Sequence, residues 1–192
     1  MKGTLAVTGD PEADALINTD PLALLLGMML DQQVPMEWAF LAPSRLKERL
    51  GGALDAATLA ATDPDDLIAI FKGPPALHRF PGSMAKRTQA LAAHLLEHYG
   101  GDAAALWITA STGDELFRRL KALPGFGEEK AKIFTALLAK RLGVRPPGWE
   151  LVAGPFADDT PRSVADIDSP ETLASVRGWK KAQKATGKSK QE

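Results

Sequence analysis

The chain has 192 residues, a formal net charge of −1 and no cysteine. That length can bury a substantial core as one domain or two small lobes. The charge balance excludes whole-molecule attraction as a basis for nucleic-acid binding, and the absence of cysteine excludes disulfides, thiolate zinc sites and iron–sulfur clusters. The opening "MKGTLAVTGD" lacks the apolar centre of a signal peptide, and no apolar run reaches membrane-spanning length. A cytoplasmic monomer with no membrane partner is therefore expected.

In chain order, "DPEADALINTDPLALLLGMMLDQQ" offers two helix starts, Asp10-Pro11 and Asp20-Pro21, each an acidic cap followed by proline at the first helical position. Leu22 to Leu30 is almost wholly apolar, which predicts a helix buried on most sides. "VPMEWAFLAPSRLKERLGG" reads as a further helix or a broken pair, closed by Gly51-Gly52. Short amphipathic pieces follow, one of them starting at Asp63-Pro64. "GPPALHRFPGS" reads as a loop, and the pattern predicts a helix from a Ser83 cap through "MAKRTQALAAHLLEHY" to the terminal glycines. His94 and His98 on that helix have metal-ligand spacing but no further ligand nearby, so two surface or half-buried histidines are expected. "TGDELFRRLKAL" and "EEKAKIFTALLAKRLG" are helices on either side of "PGFG".

Three segments result: a helical core over 1–143, an irregular Gly/Pro/Asp-rich crossing over 144–168, and a C-terminal helix with a basic tail over 169–192, capped by Ser169 with Pro170 behind it and expected to pack on the core. The tail carries Arg177, Lys180, Lys181, Lys184, Lys188 and Lys190 against Glu192 alone. The fold class is all-α.

The turn "LPGFG" is more than a connector needs. Glycine reaches positive φ cheaply, so Gly125 and Gly127 permit a tight hairpin with bare backbone outside, while Phe126 turns inward and Leu123 and Pro124 set the approach. Exposed amides beside the start of a helix at Glu128 make a concavity suited to a phosphate. With its flanking helices, "LPGFG" resembles the helix–hairpin–helix of the HhH-GPD superfamily of base-excision DNA repair glycosylases, and this chain looks like a divergent member without an iron–sulfur cluster. The similarity extends to "DPLALLLGMMLDQQVP", like the family's early buried helix, and to "FPGSMAKRTQALAAHLL", and so covers roughly Asp20 to Gly143.

The resemblance implies a two-lobed all-helical fold with its site in the cleft between the lobes, and double-stranded, damaged DNA as partner. It implies that Gln33, with Gln32 beside it, enters the DNA to support the gap left by an extruded base. An amide suits that task, because it can donate to or accept from an orphaned base edge. It also implies phosphate contacts from Leu123 to Gly127, and a monovalent cation, sodium or potassium, on the carbonyls of Lys121, Leu123 and Phe126. No other cofactor is implied. Where strand-cutting members carry a Schiff-base lysine, this chain has Glu129. Lys130 is adjacent but turned by about 100° along a helix. The negative charge of Glu128 and Glu129 near a phosphate requires Lys130 and Lys132 to offset it.

The family's aspartate, which stabilises the developing sugar cation or aligns the attacking water, usually lies about eighteen residues after the lysine position; here "PPGW" stands there instead. Asp166 is the first candidate, Asp158 the second, with Asp159 adjoining it. Trp38, Phe40 and Trp149 are candidates to line a base pocket. The leading expectation is a monofunctional glycosylase that hydrolyses the N-glycosidic bond of a damaged base. The alternatives are a non-catalytic DNA- or lesion-binding protein on the same scaffold and a helical protein-interaction module.

Overall fold

Asp10 and Asp20 start the first two helices in the same way. The Asp10 carboxylate accepts from the amides of Glu12 and Ala13, and that of Asp20 from Leu22 and Ala23. In the computed structural model, which describes residues 5–189 and 191, they open α1 (Pro11–Thr19) and α2 (Pro21–Leu30), set at 111° to each other. Every residue of α2 from Leu22 to Leu30 is buried, as the unbroken apolar run requires. Gly27 lets α3 (Met36–Arg49) press against it, since a Cβ there would lie 2.6 Å from the Phe40 ring. Helix α3 is continuous and carries the buried Pro43 inside it, so "VPMEWAFLAPSRLKERLGG" is one helix and not a broken pair.

Helices α4 (Ala56–Ala61) and α5 (Pro64–Lys72) lie against α6 (Pro81–Tyr99). Helix α6 begins earlier than the sequence suggests. Pro81 takes the first helical position behind Phe80, and Ser83 sits inside the first turn instead of capping it. Arg49 ties α3 to this group by donating to the carbonyls of Ile70 and Pro75, both at 2.7 Å.

The short α7 (Ala105–Ile108) leads to α8 (Gly113–Lys121), the hairpin and α9 (Glu128–Arg141). The crossing over 144–168 is less irregular than its composition suggests. It forms α10 (Trp149–Ala153) and two 3-10 turns, Gly154–Ala157 and Val164–Asp166. Ala153, Phe156, Val164, Ala165 and Ile167 join the main core. Last comes α11 (Pro170–Thr186), whose capping box pairs Ser169 with Thr172. Val176 is its only buried residue, so α11 lies on the surface as an arm. Lys190 and Glu192 fall outside the described residues. Eleven α-helices and no strand are present among those residues, and none of the helices is long and apolar enough to cross a membrane by itself.

Candidate functional site

Two loops meet where α2 ends. The first holds the glutamines. Gln33 is exposed and has φ 54°, making it the one non-glycine residue with positive φ among those described. A non-glycine residue keeps this conformation only where its surroundings impose it. Gln32 faces inward: its Nε2 donates to the Met29 carbonyl at 3.1 Å, and its Oε1 accepts from Arg87 Nη1 at 3.0 Å. Of the two, Gln33 is exposed and Gln32 half-buried. Beneath the loop lies His78, fully buried. Its Nδ1 accepts from the Phe80 amide at 3.0 Å, which puts the ring proton on Nε2, 3.1 Å from both the Leu30 and the Gln32 carbonyl. Burial lowers the His78 pKa, and the nearby charges of Lys130 and Arg87 push the same way.

The second loop is the hairpin between α8 and α9. Leu123 and Phe126 are buried, the Phe126 amide donates to the Leu123 carbonyl at 3.1 Å, and the Phe126 ring stands edge-on to Phe134 at 5.9 Å. Gly125 has φ 86°, and a Cβ there would meet Arg87 Cδ at 2.5 Å and Met29 Cγ at 2.9 Å. Gly127 differs from the expectation that both glycines supply positive φ: its φ is −98°, and open space lies where a Cβ would go. Gly125 alone makes the turn. Gly127 serves as the N-cap of α9 with no side chain closing that end. The first amides of a helix have no intrahelical acceptor, so its positive end is offered outward.

The charges around this end are balanced. Glu128 pairs with Lys132 at 2.8 Å, and the hydrogen bond from Lys132 holds the Glu128 carboxyl below its usual range. Lys130 reaches across to donate to the Met29 carbonyl at the close of α2. The glutamine loop and the hairpin are thereby joined by Lys130 to Met29, by Arg87 to Gln32, and by the stem of Arg87 against Gly125.

Beside Gln33 is a cleft of about 530 Å³ lined by Asp31, Gln32, Gln33, Glu37, Arg177 and Lys180. The last two come from α11. Arg177 forms an ion pair with Glu37, Lys180 Nζ lies 3.0 Å from Met36 Sδ, and Gln191 Oε1 lies 3.4 Å from Lys132. The basic helix therefore runs back toward the hairpin, a placement that its composition alone does not reveal. No motif marks Asp31 and Glu37, the carboxylates of this cleft, as functional residues. Their only signal in the sequence is closeness to the glutamine pair.

The candidate acids of the long crossing lie elsewhere. Asp166 Oδ1 is 2.6 Å from Lys140 Nζ, and Oδ2 accepts from the amides of Arg162 and Ser163 at 3.0 Å each. Asp166 thus closes the capping box of the 3-10 turn Val164–Asp166. Lys140 stands in the last turn of α9, about 18 Å along the axis from the hairpin end. Asp158 is exposed and pairs with Arg162 at 2.8 Å, which holds its carboxyl below the usual range; Asp159 is exposed as well. At "PPGW" the Pro147 carbonyl accepts the Gly113 amide at 2.8 Å, so backbone packing fills that place. The geometry does not bring Asp158, Asp159 or Asp166 to the hairpin.

Nor do the three aromatics line the Gln33 cleft. Phe40 is core, Trp149 packs on the core from its edge, and Trp38 donates to the Ala76 carbonyl at 3.2 Å. The His94 and His98 rings lie 4.4 Å apart, tilted at 53°, and no cluster of three or more metal-ligating side chains occurs among the described residues.

A family model described as HhH-GPD superfamily base excision DNA repair protein matches residues 26–191, from the middle of α2 through α11. Comparison with curated proteins gave no match.

Proposed function

The chain belongs to the HhH-GPD superfamily of base excision DNA repair proteins, and on that premise we propose that it is a monofunctional glycosylase that binds duplex DNA at a damaged base and releases it by water. The observation that carries this reading is the exposed Gln33, held in a left-handed conformation beside a hairpin whose helix end is open to a phosphate. Such an arrangement fits a protein that grips the backbone on one side of a lesion and fills the vacated stack on the other. Leu123 to Gly127 supply the grip, and Lys130 and Lys132 balance the acids near it. The carbonyls of Lys121, Leu123 and Phe126 are oxygen donors of the kind a sodium or potassium ion takes; the Leu123 carbonyl keeps a second lone pair beside its bond to Phe126.

Displacement by a lysine is unsupported. Glu129 occupies the matched position, and the Lys130 ammonium is engaged with the Met29 carbonyl. Water is then the nucleophile, and the cleft beside Gln33 places Asp31, and Glu37 in its pair with Arg177, where a carboxylate would orient it. A second reading, a non-catalytic lesion-binding protein, is favoured by Asp166, whose two oxygens are both engaged far from the hairpin.

One assay separates the two. Duplexes carrying alkylated, oxidised or deaminated bases are incubated with the protein, then treated with alkali to reveal abasic sites. Release from at least one, with no adduct trapped by borohydride, is the expected result. Lesion-selective binding with no release from any duplex establishes the second reading, and a trapped adduct overturns both.

A further inference from the structure

We propose that His78 is a positioning residue: as neutral imidazole it holds the Gln32–Gln33 loop in the conformation that presents Gln33, and so sets the preference for damaged over intact DNA. This role rests on the proposed function, in which Gln33 enters the duplex.

Backbone strain is the first reason. A left-handed glutamine at an exposed loop tip is strained and relaxes unless its neighbours fix it. The described contacts that fix it come from below. His78 Nε2 lies 3.1 Å from the carbonyl just before the loop turns, Leu30, and 3.1 Å from the one just before Gln33. One N–H shared between these two carbonyls clamps the backbone on both sides of Asp31. The ring cannot swing away, because its Nδ1 accepts the Phe80 amide at the start of α6. Arg87, from the same helix, holds the Gln32 side chain at 3.0 Å, so Gln32 cannot compete with Gln33 for the exposed place.

His78 touches no part of the surface itself, being fully buried. It can therefore affect DNA only through the groups it holds, the loop and the Phe80 amide. A merely structural histidine would lower every affinity together when replaced; a positioning one lowers only the part that Gln33 supplies.

The experiment compares affinities for a duplex containing a single abasic-site analogue and for the intact duplex of the same sequence. Wild type, Gln33→Ala, His78→Phe and the double variant are measured. Phe keeps the ring and removes both hydrogen-bonding nitrogens. The expected result is that His78→Phe and Gln33→Ala each reduce the damaged-to-intact affinity ratio by roughly tenfold, and that the double variant falls no further, since the two residues act as a unit. If Gln33→Ala lowers the ratio and His78→Phe leaves it unchanged, the positioning role is overturned while the reading of Gln33 stands. An unchanged ratio in Gln33→Ala overturns that reading, and the inference with it. Equal losses on both duplexes in His78→Phe also overturn the inference. Should His78→Phe fail to fold, His78→Leu, which likewise removes both nitrogens, replaces it, and the same ratio decides by the same criteria. Hydrogen exchange on the free protein adds a readout without DNA: faster exchange confined to the Gln32–Gln33 loop supports the clamp, and unchanged exchange there counts against it.

Discussion

The two ends of α9 are built from similar residues and do opposite things. At the hairpin end, Glu128 and Glu129 lie next to bare backbone; the Glu128–Lys132 pair is at the surface, and no side chain closes the helix. At the far end, Lys140 and Asp166 are nearly buried, and Asp166 also accepts from two amides. A carboxylate with every oxygen occupied holds a fold together, whereas a helix end without a cap is ready for an anion from outside. Chemistry-bearing residue types therefore locate nothing by themselves; what matters is whether their polar atoms are already satisfied.

The largest effect should come from the hairpin end. Gly125→Ala places a methyl group 2.5 Å from Arg87 Cδ on a backbone with φ 86°. Strain and overpacking together should cost about 2–4 kcal/mol of stability, and DNA affinity should fall by more than tenfold because the hairpin must deform. Gly127→Ala meets nothing within 4 Å and should leave the melting temperature almost unchanged. A melting curve and a titration on each variant test the contrast. Equal destabilisation at the two glycines would contradict the geometry.

Asp166→Asn sharpens the other side. It removes one charge from the Lys140 pair while keeping shape, and should lower stability by about 1–3 kcal/mol. Intact-duplex affinity should not change, because the site is about 18 Å from the hairpin. Loss of base release by a variant of undiminished stability would restore Asp166 to a catalytic place.

These contrasts also show what is legible in the sequence. The helices announce themselves where a local rule is enough: Asp10 and Asp20 as caps, the apolar run of α2, and Ser169 before Pro170. The hairpin is legible for the same reason, since positive φ at Gly125 is a local demand. Gly127 departs from expectation because two glycines around one aromatic look alike in sequence, although only one of them makes the turn. The clamp under Gln33 is not legible, because His78 lies 46 residues away from Gln32 and only tertiary packing brings them together. Asp166 looks available in sequence because an acid before a helix fits both a catalytic group and a cap. The two amides that Asp166 accepts from and its Lys140 contact distinguish the two.

A smaller effect is expected from α11. Truncation after Gly178 removes Lys180, Lys181, Lys184, Lys188 and Lys190, and takes Lys180 out of the wall that α11 adds to the Gln33 cleft while leaving Arg177. Affinity should fall several-fold at low salt, and the slope of log affinity against log salt should become shallower by about one unit for each phosphate that these lysines neutralise. An identical slope would mean that these lysines are only solvated.

The smallest effect is a pH dependence, and its sign follows from the His78 environment. Burial lowers the His78 pKa below its ordinary 6.5, so the unfolded chain takes up this proton more readily than the folded protein. Stability linked to His78 is then fully present above about 6.5 and is lost as pH falls from there toward the lowered folded value. His94 shifts in the same direction, also through burial first and then through His98, so it adds to the slope in the same window. The carboxylates act lower down: Glu115, held to about 2 by Ser111 and Arg119, contributes stability that is lost only in acid. As pH falls below about 6.5 the melting temperature of the wild type should therefore fall through the histidines, and the damaged-to-intact affinity ratio should fall only further down, as pH approaches the lowered folded value of His78. His94→Gln should remove part of the melting slope and none of the slope in the ratio. Protonation of His78 places a donor on Nδ1 against the Phe80 amide and loosens the ring that holds the loop. His78→Phe should therefore remove the slope in the ratio, and a ratio that keeps its full pH slope in this variant would assign that slope to another group.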